Sequence, residues 1–191
     1  MIEYFIQTIA NIIELSEADK LVIRENSLIK RLKKRQFFLQ EGDVCRYAGF
    51  VTKGCLKTYS TDKNGDEHVF QFALEGWWAS DMYSHLTGEP ATYNIEAIED
   101  SELVTMDLES RDKVLQLVPK YERFMRILLE KNYVASQRRV NSMLGSSAEE
   151  RYLSFIKTYP QIVQRVPQHS IASYLGIAPE SLSRIRKQMA K

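Results

Sequence analysis

The 191-residue chain predicts an α+β fold: flanking helices, a β-sandwich or barrel, one long helix, and a closing pair of short helices. Three observations carry this reading. Between residues 27 and 107, short alternating segments are broken by turn signals about every 10–13 residues, the rhythm of a sandwich or barrel. From residue 121 to about 144 the pattern becomes helical and is apolar around most of its circumference. Residues 168–187, QHSIASYLGIAPESLSRIRK, hold two short amphipathic segments separated by a glycine turn.

Residues 1–15 place Ile2, Phe5, Ile6, Ile9, Ile12 and Ile13 at helical spacing, and Glu3 stands where an export signal needs a basic residue. An amphipathic helix packed on its own protein is expected. Ser16 and Asp19 signal the cap of a second helix, running through about Arg24. In the β region the turns fall at Gly42-Asp43, Lys53-Gly54, Asn64-Gly65, Gly76 and Gly88. Asn64-Gly65 reads as a tight hairpin joining residues 56–61 to 68–72. The basic cluster Lys30, Arg31, Lys33, Lys34 and Arg35 reads as a solvated strand face. Residues 111–118 form a short helix stopped near Pro119.

The long helix follows. Tyr121, Phe124, Met125, Ile127, Leu128, Leu129, Tyr133, Val134 and Ala135 leave charge only a narrow strip near Arg123, Arg126 and Glu130. One barrel cannot cover that surface. The same helix of a second subunit is the simplest cover, through Tyr121, Met125, Leu128, Asn132 and Ala135; a C-terminal domain folded back over it is the alternative. Gly145, Ser146 and Ser147 break this helix as a hinge, and Ser146 with Glu149 or Ser147 with Glu150 caps the next, through about Tyr159.

In the closing pair, Ile171, Ala172 and Leu175 give the first helix a buried face, and Gly176 supplies the sharp turn that only glycine enters without steric cost. Ile177 is a buried turn residue. Pro179 opens the second helix, where its missing N–H is not needed. Leu182, Ile185 and Met189 share one face; Glu180, Arg184 and Lys187 share the opposite one. That is the pattern of a helix-turn-helix whose second helix enters a DNA major groove, with an ordinary helical hairpin as the alternative.

Charge supports a nucleic-acid partner through its distribution. The net charge is +1, yet residues 1–119 hold 13 Lys/Arg against 20 Asp/Glu and residues 120–191 hold 13 against 5. Two cysteines, Cys45 and Cys55, are too few for a disulfide scaffold and read as reduced, part-buried thiols. No apolar run reaches the ~18 residues needed to cross a bilayer, so a soluble, cytoplasmic chain with no membrane partner is expected.

The order of barrel, long helix, hinge and helix-turn-helix resembles the cyclic-AMP receptor (CRP/FNR) superfamily of bacterial transcription regulators. Phe38-Leu39-Gln40-Glu41-Gly42-Asp43, then Tyr47-Ala48-Gly49-Phe50-Val51 and Gly54, look like that family's opening barrel strands, while Gly176, Glu180, Ser181 and Arg184 fall on its turn glycine and base-reading positions. The resemblance implies a cyclic-nucleotide-binding-like jelly roll over 1–119, a dimerisation helix and hinge over 120–145, and a helix-turn-helix domain over 146–191. It implies a homodimer on a pseudo-palindromic duplex, with RNA polymerase as a further partner. Arg184 would read guanine and Glu180 cytosine. Gln168, His169, Ser170 and Ser181 would touch phosphates, joined by Arg186, Lys187 and the basic stretch Arg138-Arg139.

The implied effector pocket comprises Trp78, Asp81, Met82, Ala91, Thr92 and Tyr93, with Trp77 and Tyr83 nearby. It departs from the receptors' phosphate cassette: Asp81 replaces a glutamate and Ala91 an arginine. A buried cyclic phosphate needs a cation or equivalent donors, so a small effector other than cyclic AMP is expected. The reading end departs too. Ala178 stands at a cap position, Pro179 where some relatives carry an arginine, and almost no wing follows the second helix.

No enzyme constellation emerges. His68, His85 and His169 include no pair at metal-ligand spacing, which disfavours a cupin-type enzyme, and there is neither a phosphate loop nor a nucleophile elbow. Heme ligation through His68, His85, Cys45 or Cys55 is a minor alternative. No metal or cofactor is expected. The main rival function is a small-molecule-binding module acting through a protein partner, without specific DNA binding.

Overall fold

A computed structural model describes residues 1–189; of the expected 146–191 segment, residues 190 and 191 lie outside the described residues. The chain divides into two compact units. One holds residues 1–58 and 72–130; the other holds 59–71 and the residues from Lys131 onward. The division cuts the long helix after Glu130 and assigns the hairpin tip to the C-terminal residues, unlike the three functional segments expected from the sequence.

The first unit opens with α1 (Ile2–Ala10) and α2 (Glu17–Glu25). Ser16 accepts from the Asp19 N–H at 3.2 Å while the Asp19 carboxylate accepts from the Ser16 N–H at 2.7 Å, the expected capping box. Eight strands follow: β1 (Leu28–Leu32), β2 (Phe37–Leu39), β3 (Tyr47–Lys53), β4 (Leu56–Thr61), β5 (Glu67–Ala73), β6 (Trp78–Ala79), β7 (Asn94–Ala97) and β8 (Ser101–Asp107). They form two four-stranded sheets, ordered β1-β8-β3-β6 and β2-β7-β4-β5.

Leu32, Leu39, Val51, Leu56, Ala73, Ala79, Ile95, Ala97 and Leu103 draw one buried core from all eight strands. Strand alternation then builds a second core on the outer side. Val51 points inward while its neighbour Phe50 joins Phe5, Ile6, Ile9, Ile13 and Ile23 of the helical layer. That layer is completed by α4 (Leu108–Leu117), which begins three residues earlier than expected because Asp107 caps it, and by the start of α5 (Tyr121–Gly145). A short helix α3 (Met82–Thr87), with no counterpart in the sequence reading, follows β6.

Two glycines are required by close approach. A Cβ on Gly49 would lie 2.7 Å from the Leu103 side chain and 3.0 Å from the Phe38 ring. Gly54 combines φ +98° with a Cβ position 2.7 Å from the Ser101 Cα.

In the second unit, the β4–β5 hairpin turns at Asn64-Gly65 as expected, the Gly65 N–H donating to the Asp62 carbonyl at 3.0 Å. Residues 62–66 form the loop, and the Asp62 carboxylate accepts from the N–H groups of Asn64 and Asp66. The remaining helices are the rest of α5, then α6 (Ala148–Thr158), α7 (Pro160–Arg165), α8 (Gln168–Leu175) and α9 (Pro179–Met189). Gly145 is still helical, so the break falls at Ser146 and Ser147. Of the two expected boxes, the one between Ser147 and Glu150 forms. No helix among the described residues is long and apolar enough to cross a membrane.

Candidate nucleic-acid interface

Helices α8 and α9 are joined by residues 176–178. Gly176 takes φ 63° and ψ 41°, left-handed as expected, and its N–H caps the end of α8. Ile171, Ala172 and Leu175 of α8, with Leu182 and Ile185 of α9, are buried together with Ile162, Tyr152 and Phe155 of α7 and α6. Met189, expected on the anchoring face, is exposed instead. The last turn of α9 extends past the hydrophobic support.

The opposite face of α9 is open. Pro179, Glu180, Ser183, Arg184, Lys187 and Gln188 line a shallow surface groove, and Gln168, His169 and Arg186 line a second one beside it. Among the described residues, the charged ends of Glu180, Arg184, Arg186 and Lys187 make no ion pair, and all four residues are exposed. Charged groups left in water on one helix face keep their full capacity to meet base edges and phosphates. Ser181 is half-buried. Gln168 is also half-buried, with its Oε1 enclosed and unpartnered.

Two expected contacts are corrected. Ser170 is 2% exposed, packed in the first turn of α8, and cannot reach a phosphate. Arg139 points inward. Its guanidinium donates to the carbonyls of Val69 (3.0 Å), Tyr174 (3.1 Å) and Phe70, and stacks 4.3 Å from the Tyr174 ring centroid. Burial lowers its pKa, yet an arginine stays protonated at any physiological pH. Arg138 alone of that basic pair is exposed.

Within the first unit, the expected effector residues face different surroundings. Trp78 packs outside the sandwich, edge-on to Phe5 and Phe50 at 5.6 and 5.7 Å; its neighbour Trp77 is the one against the strand core. Met82 and Tyr83 are exposed, and the Tyr83 hydroxyl donates to Glu89. Ala91 is buried in the core, Thr92 is exposed and Tyr93 is half-buried.

Asp81 is buried. Its Oδ1 accepts from the Ser84 N–H, capping α3, and its Oδ2 accepts from the Thr92 N–H, both at 3.1 Å. The Ser84 hydroxyl accepts from the Cys45 N–H at 2.9 Å and donates to the Glu89 carbonyl at 2.5 Å. His85 holds the Cys45 carbonyl at 2.9 Å, and burial pushes its pKa down. Both cysteines are buried and neither forms a disulfide among the described residues, and desolvation raises the Cys45 thiol. Among the described residues, no group of three or more His, Cys, Asp or Glu is arranged to hold a metal ion. The sequence reading missed a cross-strand ion pair, Lys57 on β4 with Glu96 on β7 at 3.3 Å, nearly enclosed. Single-strand patterns do not reveal which residues become neighbours across a sheet.

Residues 29–117 match the family described as the cyclic nucleotide-binding domain. The chain is 24% identical over 189 residues to the fumarate and nitrate reduction regulatory protein of Vibrio cholerae, covering 93% of this chain and 73% of that protein. It is 24% identical over 176 residues to the transcriptional activator protein Anr of Pseudomonas aeruginosa, covering 84% and 70%. Among solved structures, the c-di-GMP-responsive global regulator CLP of Xanthomonas campestris superposes with a TM-score of 0.73 at 15% identity, covering 92% of each chain. FixK2 of Bradyrhizobium japonicum gives 0.72 at 18% identity, covering 86% and 84%. The family match and these relatives support membership of the CRP/FNR superfamily and a role as a transcription regulator of that type.

Proposed function

We propose that the chain acts as a homodimer that binds a two-fold-related DNA site, each α9 lying in one of two major grooves about 34 Å apart. The observation that carries this is the free Glu180–Arg184–Lys187 face, held outward by the buried Leu182 and Ile185. Arg184 reads guanine and Glu180 accepts from a cytosine amine, while His169, Gln168, Ser181, Arg186 and Lys187 fix the register on phosphates. RNA polymerase is the partner expected at such a site, and the action is cytoplasmic, where the DNA is. Selection of bound sequences from random duplexes tests the proposal. Enrichment of a two-fold motif supports it; enrichment of none favours a module acting through a protein partner.

The second subunit packs along α5; of the face expected to meet it, Asn132 and Ala135 are exposed and Leu128 is half-buried, while its first two residues are taken up by the core. Tyr121 is buried with Phe124 in the helical core, and Met125 packs against the same core. The exposed large apolar residues of α5 are Leu129, Tyr133, Val134, Val140, Met143 and Leu144; of these Leu129, Tyr133, Val140 and Met143, at 51, 65, 55 and 48% exposure, fall on one stripe. With Ser136 between Tyr133 and Val140 they follow the alternating spacing of three and four that seams two helices.

The effector differs from cyclic AMP. Ala91 leaves no cation for a cyclic phosphate, and the Asp81 carboxylate already holds the N–H groups of Ser84 and Thr92. Bringing a phosphate there would set two anions together. Calorimetry with cyclic AMP should give no binding near micromolar concentration; tight binding would overturn this part of the proposal.

A further inference from the structure

Strand β5 is the edge of its sheet. An edge strand presents a row of backbone donors and acceptors that must find partners or water. Here side chains of the C-terminal helices supply them. The Ser173 hydroxyl accepts from the Val69 N–H at 2.8 Å and donates to the Glu67 carbonyl at 2.6 Å. This fills the outward-facing hydrogen-bonding positions as a neighbouring strand would. Arg139 takes the Val69 and Phe70 carbonyls with one edge of its guanidinium and reaches the Tyr174 carbonyl from the same group.

The Arg139 guanidinium carbon lies 4.3 Å from the Tyr174 ring centroid and 5.7 Å from that of Phe70. Tyr174 is in turn braced by Phe155 of α6 at 5.4 Å. Hairpin tip, long helix and first reading helix thus meet at one cation. Lysine has neither the fork nor the planar face needed for this geometry.

We infer that Arg139 and Ser173 are positioning residues that clip α8 to the edge of β5, fixing the angle at which α9 is presented to DNA. The inference rests on the DNA-binding proposal and adds to it a determinant that touches no base or phosphate. Free Glu180 and Arg184 in the clipped arrangement make it the competent one. A reading head released from the clip would still contact one half-site, but two heads at undefined angles would not fit two half-sites together.

The test uses the full chain and the variants Ser173→Ala, Ser173→Thr and Arg139→Lys. Hydrogen exchange at the Val69 amide, without DNA, should be slow in wild type and in Ser173→Thr, which keeps the hydroxyl, and fast in Ser173→Ala. Arg139→Lys should lose about tenfold on the selected two-fold duplex, in keeping with the strength of hydrogen bonds from a charged donor. It should lose nothing on a single half-site, and the salt slope should be unchanged. A slope reduced by about one would make Arg139 a phosphate contact and overturn the inference. Equal loss on both duplexes, or an unprotected Val69 amide in wild type, would do the same. If no two-fold duplex is selected at all, the DNA-binding proposal fails while the exchange measurement still decides the clip.

Discussion

Arg139 and Arg184 are the same residue type in two helices of one unit, and the structure gives them opposite surroundings. Arg139 is half-buried, with its guanidinium donating to three carbonyls; Arg184 is exposed, with no ion pair among the described residues. Only the second can pair with guanine O6 and N7. Arg184→Ala should therefore cost about 1–3 kcal/mol on the selected site and relax preference at one base pair. Competition binding against duplexes altered at that pair checks it, and equal loss on random DNA would argue against direct readout. The sequence marks both arginines as basic and solvated, because nothing local to Arg138 and Arg139 announces that a hairpin some seventy residues earlier supplies carbonyl acceptors. Ser170 escapes sequence reading for a related reason. A serine at the start of a helix reads as a phosphate donor until neighbouring helices bury it.

At the scale of elements, the closing helix pair was the most legible part, because glycine at a left-handed turn, proline at the first helical position and a 3.6-residue period all agree. Helix α3 was less so, being too short for a period to register. Helix α5 was legible as a helix but its free face only in part. An almost all-round apolar pattern leaves open which side meets the sandwich, and α1 and α4 take Tyr121 and Phe124. Leu129→Arg should then weaken the dimer by about two orders of magnitude, because symmetry places two unpaired charges in one seam. Sedimentation measures this, and an unaffected dimer would move the seam elsewhere. The α2 cap yields a pH-dependent outcome. The Lys120 ammonium, 2.7 Å away, and then the Ser16 hydroxyl hold Asp19 down to about 2 from its ordinary 3.8. A depressed carboxylate contributes stability that is complete above the unfolded value and lost as pH falls through the folded one. Asp19→Asn, which keeps a capping oxygen, should be less stable than wild type at pH 7 by about 1 kcal/mol. Urea midpoints should show that gap closing between pH 4 and 2.

Over the whole molecule, a net charge of +1 conceals an acidic front and a basic back. Long-range attraction to a polyanion is nearly cancelled, so specific affinity must come from the local face of α9 and from engaging two such faces at once. Engagement of both is a matter of helical phase. Two recognition helices in one dimer face the same side of the duplex only when half-site centres lie about 10 base pairs, one turn, apart. Inserting about 5 base pairs between the selected half-sites turns the second one to the far side of the DNA. The dimer then keeps one head bound and loses the gain from the second. Affinity for the altered duplex should fall to that of an isolated half-site, and Leu129→Arg should bind the original and altered duplexes alike. Retention of full affinity after the insertion would mean that each helix pair binds independently, and the two-fold mechanism would be lost even if Arg184 still read its base.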